Sequence, residues 1–450
     1  MNKIRAFLYV ISVIFIVQGS NVQAQEAKAR WETLNLIRQE KLDIILPQAM
    51  RDNDIDMWIL VNRYGRFDPL SRELGGLGAS DKWYQGKFIA YLVFTDRGGD
   101  KIERANIRDK TGALLKHVEE RDPKRIAINM SEYLGCADGL SHTCYLALVE
   151  ALGKKYAERL VSSEMLVSDF RSRRVSSEIA VFAKLVKLTG QLMERALSNE
   201  VIKPGVTTLG EVAFWVEDQL IARGHSPFAA EINPQTYSWP RIVYPEMPTT
   251  KDGRQLVRAP TGPYDRVIQR GDLVAWDGRI HIMDNFGTDI ERYAYVLREG
   301  ETDVPKTIKD AFEHGLKVRE LCRNLIKPGR TGLETLNLMY SKLKELGYEI
   351  QYEEDKVTDS PNIEVNIGCH NAGEQGPGSG AFIWIDRDQP FASKLMLKSD
   401  QFQSFEFFLY YPLPEWGGKK LILEFKENVI LTKNGVELFS PQMEKVHLIR

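Results

Sequence analysis

From Ile179 onward, apolar residues return at helical spacing in two pairs of stretches, and each pair flanks the same short segment. One stripe runs through Ile179, Phe182, Val186, Met193 and Leu197, and another through Val212, Trp215, Val216 and Leu220 up to Gly224. Between them lies Ile202-Lys203-Pro204-Gly205-Val206-Thr207-Thr208-Leu209. The segment returns as Ile326-Lys327-Pro328-Gly329-Arg330-Thr331-Gly332-Leu333. It again sits between a stripe at Phe312, Leu316, Leu321 and Leu325 and one at Leu336, Met339, Leu343 and Leu346, which stops at Gly347. Thr208 with Glu211 and Thr331 with Glu334 have capping-box spacing, in which hydroxyl and carboxylate satisfy the free amides of a helix start. The pattern predicts a duplicated helix-turn-helix unit, and a duplication of this kind builds its site at the seam.

The earlier part of the chain has a different period. Strand-like runs at Met57 to Val61, Phe88 to Phe94 and Arg125 to Ile128 alternate with a helical pattern from Cys144 to Leu160. This predicts a separate domain over residues 25–170, with Arg171-Ser172-Arg173-Arg174 as a solvated linker into a second domain over 171–450. Residues 1–24 belong to neither. Lys3 and Arg5, the apolar run Ala6 to Val17 and the small-residue pattern Val22-Gln23-Ala24 make a secretory signal. Export to the periplasm or the outside is expected. No later stretch approaches the roughly 20 apolar residues of a spanning helix.

At 450 residues and 43% hydrophobic content the chain can bury a large core. A formal charge of −2, from 60 basic and 62 acidic residues, leaves no electrostatic footprint for nucleic acid or an anionic membrane. Export permits disulfides, and Cys136 and Cys144 are close enough in sequence for a small bridged loop; Cys322 and Cys369 read as buried thiols.

Chemistry is expected on the strands that close each half. Asp277 and Asp289 stand in largely apolar surroundings, and Glu406 stands inside FQSFEFFLYY. Such carboxylates are costly unless they hold a cation or accept hydrogen bonds. A hairpin follows, with turns at Gly417-Gly418 and Asn434-Gly435.

The segment Gly271 to Pro305, the PEWGG turn at Pro414 to Gly418, the VILTKNGVE hairpin and the DMWILVNR stretch from Asp56 resemble the pita-bread family of aminopeptidase P, prolidase and creatinase. The resemblance implies an α+β fold, a duplicated pita-bread carboxy-terminal domain preceded by a smaller α/β creatinase-type domain. It also implies a site for two metal ions held by two aspartates, one histidine and two glutamates. Asp277, Asp289 and Glu406 match three of these positions. Val365 falls on the histidine and Lys426 on the last glutamate, and AAEINPQTYSWPRIVYP lacks the family's upstream histidine. His370 is a displaced candidate for the imidazole, and Glu424 or Glu427 for the lost carboxylate, with Glu424 on the same strand parity as Lys426.

Three gathered carboxylates repel by roughly 4 kcal/mol per pair at 4 Å and an effective dielectric near 20. Lys426 is therefore expected to be the internal counter-ion of Asp277, Asp289 and Glu406, one acid taking a proton if charge remains unbalanced. The alternative is an edge-strand lysine facing solvent.

Three functions follow from the resemblance. The first placed is a non-catalytic protein that binds a small peptide-like ligand or a protein partner, without cofactor. The second is a metal-free carbon-nitrogen hydrolase like creatinase, with His370 and Glu406 as catalytic residues, or His281 in place of His370. The third is a dimetal proline-specific peptidase using Mn, Co, Zn or Fe. Many relatives are dimers, so a homodimer is a further expectation. Long loops at Asn233 to Arg266 and Gly373 to Gly380 are candidates for gripping a ligand. The glycine-rich one lacks the lysine and the strand-to-helix setting of a phosphate loop.

Overall fold

The computed structural model describes residues 25–450 except 64–65, 72, 76–88, 109–111, 225–239, 245–263, 283–285, 354–356, 374–377 and 386–390. The expected signal at 1–24, most of the Asn233 to Arg266 loop and half of the Gly373 to Gly380 loop lie outside the described residues. No helix among the described residues is long and apolar enough to cross a membrane. The chain folds as two compact units. The first ends at Phe170 and takes in Val175–Glu178, and the second comprises Arg171–Arg174 and Ile179–Arg450.

The first unit begins with helix α1 (25–40), which runs through a π-helical turn at Lys41–Ile45 into α2 (Leu46–Asp52). Strands β1 (Met57–Arg63), β2 (Ile89–Thr95) and β3 (Glu103–Arg108), helix α3 (Ala113–Glu119), strand β4 (Ile126–Ile128), helix α4 (His142–Ala157), strand β5 (Leu160–Ser162) and helix α5 (Glu164–Ser172) follow. The sheet order is β3-β2-β1-β4-β5, with β1, β4 and β5 parallel. β1 is covered on both faces, which is why it reads as the unbroken apolar run Met57-Trp58-Ile59-Leu60-Val61. Leu114 and Val118 of α3 and Cys144, Leu148 and Leu152 of α4, spaced by four, present one apolar stripe to that sheet. Cys144 is spent in this stripe, and no disulfide joins it to Cys136.

The second unit includes α6 (Ser176–Ala196) from Ile179 onward and α7 (Leu209–Ile221), then β6 (Arg241–Tyr244), β7 (Leu273–Gly278), β8 (His281–Ile282), β9 (Phe286–Gly287) and β10 (Ile290–Val296). Helices α8 (Lys306–Leu325) and α9 (Gly332–Glu345) repeat the pair, followed by β11 (Glu349–Ile350), β12 (Glu364–Ile367), β13 (His370–Asn371), β14 (Gln401–Pro412), β15 (Lys420–Thr432), β16 (Gly435–Leu438) and β17 (His447–Ile449). One sheet has the order β17-β10-β7-β6 and the other β11-β12-β14-β15-β16, with β13 also paired to β14.

The duplication is carried into hydrogen bonding. Both capping boxes are formed, by Thr208 with Glu211 and by Thr331 with Glu334. The Gly205 amide donates to Ile268 and the Leu209 amide to Arg266; in the second copy Gly329 donates to Leu397 and Gly332 to Leu395. Gly205 and Gly329 have φ of +77° and +88°, a conformation that a side chain resists.

The Arg171-Ser172-Arg173-Arg174 run is not the solvated linker that its charge predicts. Ser172 ends α5, and Arg174 is buried, its guanidinium lying 4.9 Å from the Phe402 ring centroid and donating to the Ala372 carbonyl. The aliphatic stem and planar head of arginine let a charged residue serve as packing.

Side-chain alternation in β14 and β15 fixes which residues can meet. Phe405, Phe407 and Leu409 of β14 and Leu421, Leu423 and Phe425 of β15 enter the core formed with α8 and α9. Glu406, Glu424 and Lys426 have the other parity, and Glu406 is directly opposite Lys426 in the ladder.

Candidate functional site

The site is a buried charge cluster assembled from both halves of the duplication. Asp277 is the penultimate residue of β7 and Asp289 immediately precedes β10; Glu406 comes from β14, and Glu424 and Lys426 from β15. Paired bonds clamp the strands of the two halves together: the Tyr293 hydroxyl donates to the Glu424 carbonyl at 3.0 Å and accepts from the Glu424 amide at 2.7 Å. Asn428 adds a third tie, its Oδ1 accepting from the Asp289 amide at 2.8 Å.

Lys426 is at the centre and is 2% exposed, so it does not face solvent. Its Nζ is 2.8 Å from Glu424 Oε1, 3.1 Å from Asp277 Oδ2, 3.3 Å from Asp289 Oδ1 and 3.4 Å from Glu406 Oε2. The three acids expected around it are all there, and Glu424 is a fourth. Glu427, the other candidate for the missing carboxylate, pairs instead with Arg292 at 2.9 Å on the opposite strand parity.

His370 joins from β13. Its Nε2 is 3.1 Å from Asp289 Oδ2 and 3.4 Å from Glu406 Oε2, and its Nδ1 is 2.9 Å from the Asn371 carbonyl. A carbonyl oxygen and carboxylates only accept, so both ring nitrogens carry protons and the ring is an imidazolium. Val365 does not stand in for this histidine. It is fully buried opposite Leu409, in the apolar core on the face away from Glu406. Of these two positions, it is His370 that brings an imidazole to the acids.

Three further residues, not expected from the sequence, complete the network. Arg279 Nε is 3.1 Å from Asp289 Oδ1, and Arg241 Nη2 is 2.8 Å from Glu291 Oε1 and 3.1 Å from Glu424 Oε2. Glu291 is directly across the ladder from Asp277, an unfavourable like-charge pair that Arg241 and Lys426 offset. A signal was present: Asp277 and Arg279, like Asp289 and Glu291, are two apart, the spacing that puts side chains on one face of a strand.

Five acids therefore face four cations. The excess is absorbed by Glu291, which burial pushes well above the usual carboxylate range against the pull of Arg241. Burial also raises Asp277 to about 6, with Lys426 limiting the shift. Burial acts the same way on Asp289, but Arg279, Lys426 and His370 outweigh it and hold that carboxyl well below its ordinary value. For Lys426 and His370 burial disfavours the charge; the surrounding acids reverse the outcome, holding the lysine well above its usual pKa and the imidazole at about 9. His281 is different, since burial and Arg279 lower it to about 4 and leave it neutral.

Two triads, Asp289 with His370 and Glu406, and Asp277 with Glu291 and Glu424, have ligand-type atoms within 4.8 Å of one another. No family model and no curated protein matches the sequence. Solved structures do. An X-Pro aminopeptidase from Thermotoga maritima is similar at 15% identity and a TM-score of 0.56, covering 89% of this chain and 99% of its own. A Xaa-Pro dipeptidase from Bacillus anthracis gives 17% and 0.55 over 91% and 99%, and a prolidase from Pyrococcus horikoshii 18% and 0.53 over 90% and 100%. The chain has the pita-bread fold. At these identities the likeness establishes the fold and leaves function to the site. In this pita-bread fold the first half supplies Asp277 and Asp289 and the second Glu406 and Lys426, so the cluster lies at the seam of the duplication.

Proposed function

We propose that this chain is an exported pita-bread protein that binds a small peptide-like ligand or a protein partner without cleaving it, its metal site replaced by an internal ion network. The observation that carries the reading is the Lys426 ammonium, in contact with four carboxylates at 2.8 to 3.4 Å. Both triads contribute acids to that contact. A pair of divalent ions does not fit the residues present, because the ammonium fills the space between the acids, supplies positive charge there and offers only donors. His370 would have to give up the proton that Asp289 and Glu406 hold on it before it could ligate a metal.

The same feature weighs against a metal-free hydrolase. A general base needs a free lone pair near the reacting proton, and His370 has none. His281 is neutral, but it matches no catalytic position of the family.

The test is elemental analysis of protein purified without chelators, run beside Xaa-Pro dipeptide incubations with and without added Mn²⁺ or Co²⁺. The reading expects well under one equivalent of transition metal and no cleavage, with intact peptide raising the thermal midpoint. About two equivalents of metal and chelator-sensitive cleavage would restore the peptidase reading; cleavage that resists chelators would restore the hydrolase.

A further inference from the structure

The first unit has a cavity of its own, about 920 Å³, outside the carboxyl ends of the parallel strands β4 and β5. Open α/β sheets hold ligands in that position, and the volume is of a size that takes a small organic molecule. The wall is apolar in part. Met130 and Met165 are 42% and 46% exposed, and Tyr133 and Tyr145 add aromatic rings to the lining. Its charge has one sign: Glu132, Asp138 and Glu164 line the cavity, no lysine or arginine does so among the described residues, and the nearest approach to a cation is the imidazole of His142.

Glu164 is fixed in place. Its Oε2 accepts from the Glu132 amide at 3.1 Å, the Tyr133 amide at 3.2 Å and the Ser131 hydroxyl, and none of these bonds uses Oε1. A rigidly held carboxylate beside thioethers and aromatic rings suits a cation carried on an apolar body, since the carboxylate attracts the charge, the ring faces add cation–π attraction and the methionines cover the hydrocarbon.

We propose that this cavity binds an organic ammonium ion with an apolar or aromatic body. The site is separate from the Lys426 cluster and does not depend on the function assigned to that cluster. Tryptamine titrated calorimetrically into the full chain tests it, with indole-3-acetate as the anion carrying the same ring. The expected result is saturable one-site binding of tryptamine and no binding of indole-3-acetate. Glu132→Gln combined with Asp138→Asn weakens tryptamine about tenfold, as loss of two exposed charge contacts does. Met165→Arg, at an exposed position that the fold tolerates, abolishes binding by placing a cation in the cavity. Absence of tryptamine binding at millimolar concentration, equal affinity for the two probes, or an affinity unmoved by both variants would overturn the proposal.

Discussion

Replacing Lys426 by methionine keeps most of the side-chain volume and removes the charge, so it isolates what the ammonium does. At 2.8 to 3.4 Å and an effective dielectric near 20, each of its four contacts is worth about 5 kcal/mol in gross Coulomb energy. Most of that sum offsets the burial of five charged groups. The observable loss is therefore expected near the about 3 to 5 kcal/mol typical of breaking a buried pair. Proton uptake softens the loss at low pH. Asp277 already titrates near 6, and without the ammonium its folded pKa rises further above the unfolded value. A group raised in this way stabilises the fold below its unfolded pKa and loses that contribution as pH climbs through the folded one. The deficit of Lys426→Met must then be larger at pH 8 than at pH 5. Hydrogen exchange of the β14 and β15 amides reads the second unit directly and avoids a two-state assumption for a two-unit chain. A loss under about 1 kcal/mol at pH 8, or a deficit that shrinks as pH rises, would refute the counter-ion argument.

Other expectations concern the scaffold. Asp68 in the first unit is buried and lifted to about 6 by desolvation, despite hydrogen bonds from the Leu70 amide and Asn129. Its contribution is complete below pH 4 and is lost by pH 7, a swing of up to about 3 kcal/mol, so the difference in stability between the parent and Asp68→Asn should follow that curve in urea titrations across pH. Thr208→Ala and Thr331→Ala should each cost about 1 kcal/mol, measured as earlier exchange of the first turn of α7 or α9. Gly332→Ala should be far worse than either cap variant in thermal unfolding, because a Cβ there would collide with the Phe382 carbonyl oxygen, which is backbone and cannot step aside.

Much of this was legible in the chain itself, for identifiable reasons. The helix pairs announced themselves through 3.6-residue periodicity and capping boxes, which are local signals. Lys426 was legible as a counter-ion because strand parity and charge balance demand a cation wherever several acids converge. The place of His370 was not, because a straight strand carries it far from Val365, whereas the chain breaks between β12 and β13. There Gly368 donates to the Glu406 carbonyl and Cys369 bridges to Ile383, so His370 re-enters the sheet opposite Ser404. Arg241 carries no such local signal, because its partners Glu291 and Glu424 are distant in sequence and pairing across strands is set by the fold. Arg174 misled for the opposite reason: a basic run looks solvated until a ring and a carbonyl are found to receive it.

If the Lys426 ammonium occupies the charge position of metal ions, titration of Mn²⁺ into the parent and Lys426→Glu, followed by calorimetry and elemental analysis, will separate the two proteins. The parent should show no specific uptake and the variant should bind at least one equivalent, its new carboxylate joining Asp277, Asp289 and Glu406 once the ammonium is gone. Tight binding of two equivalents by the parent, unchanged by the substitution, would contradict it.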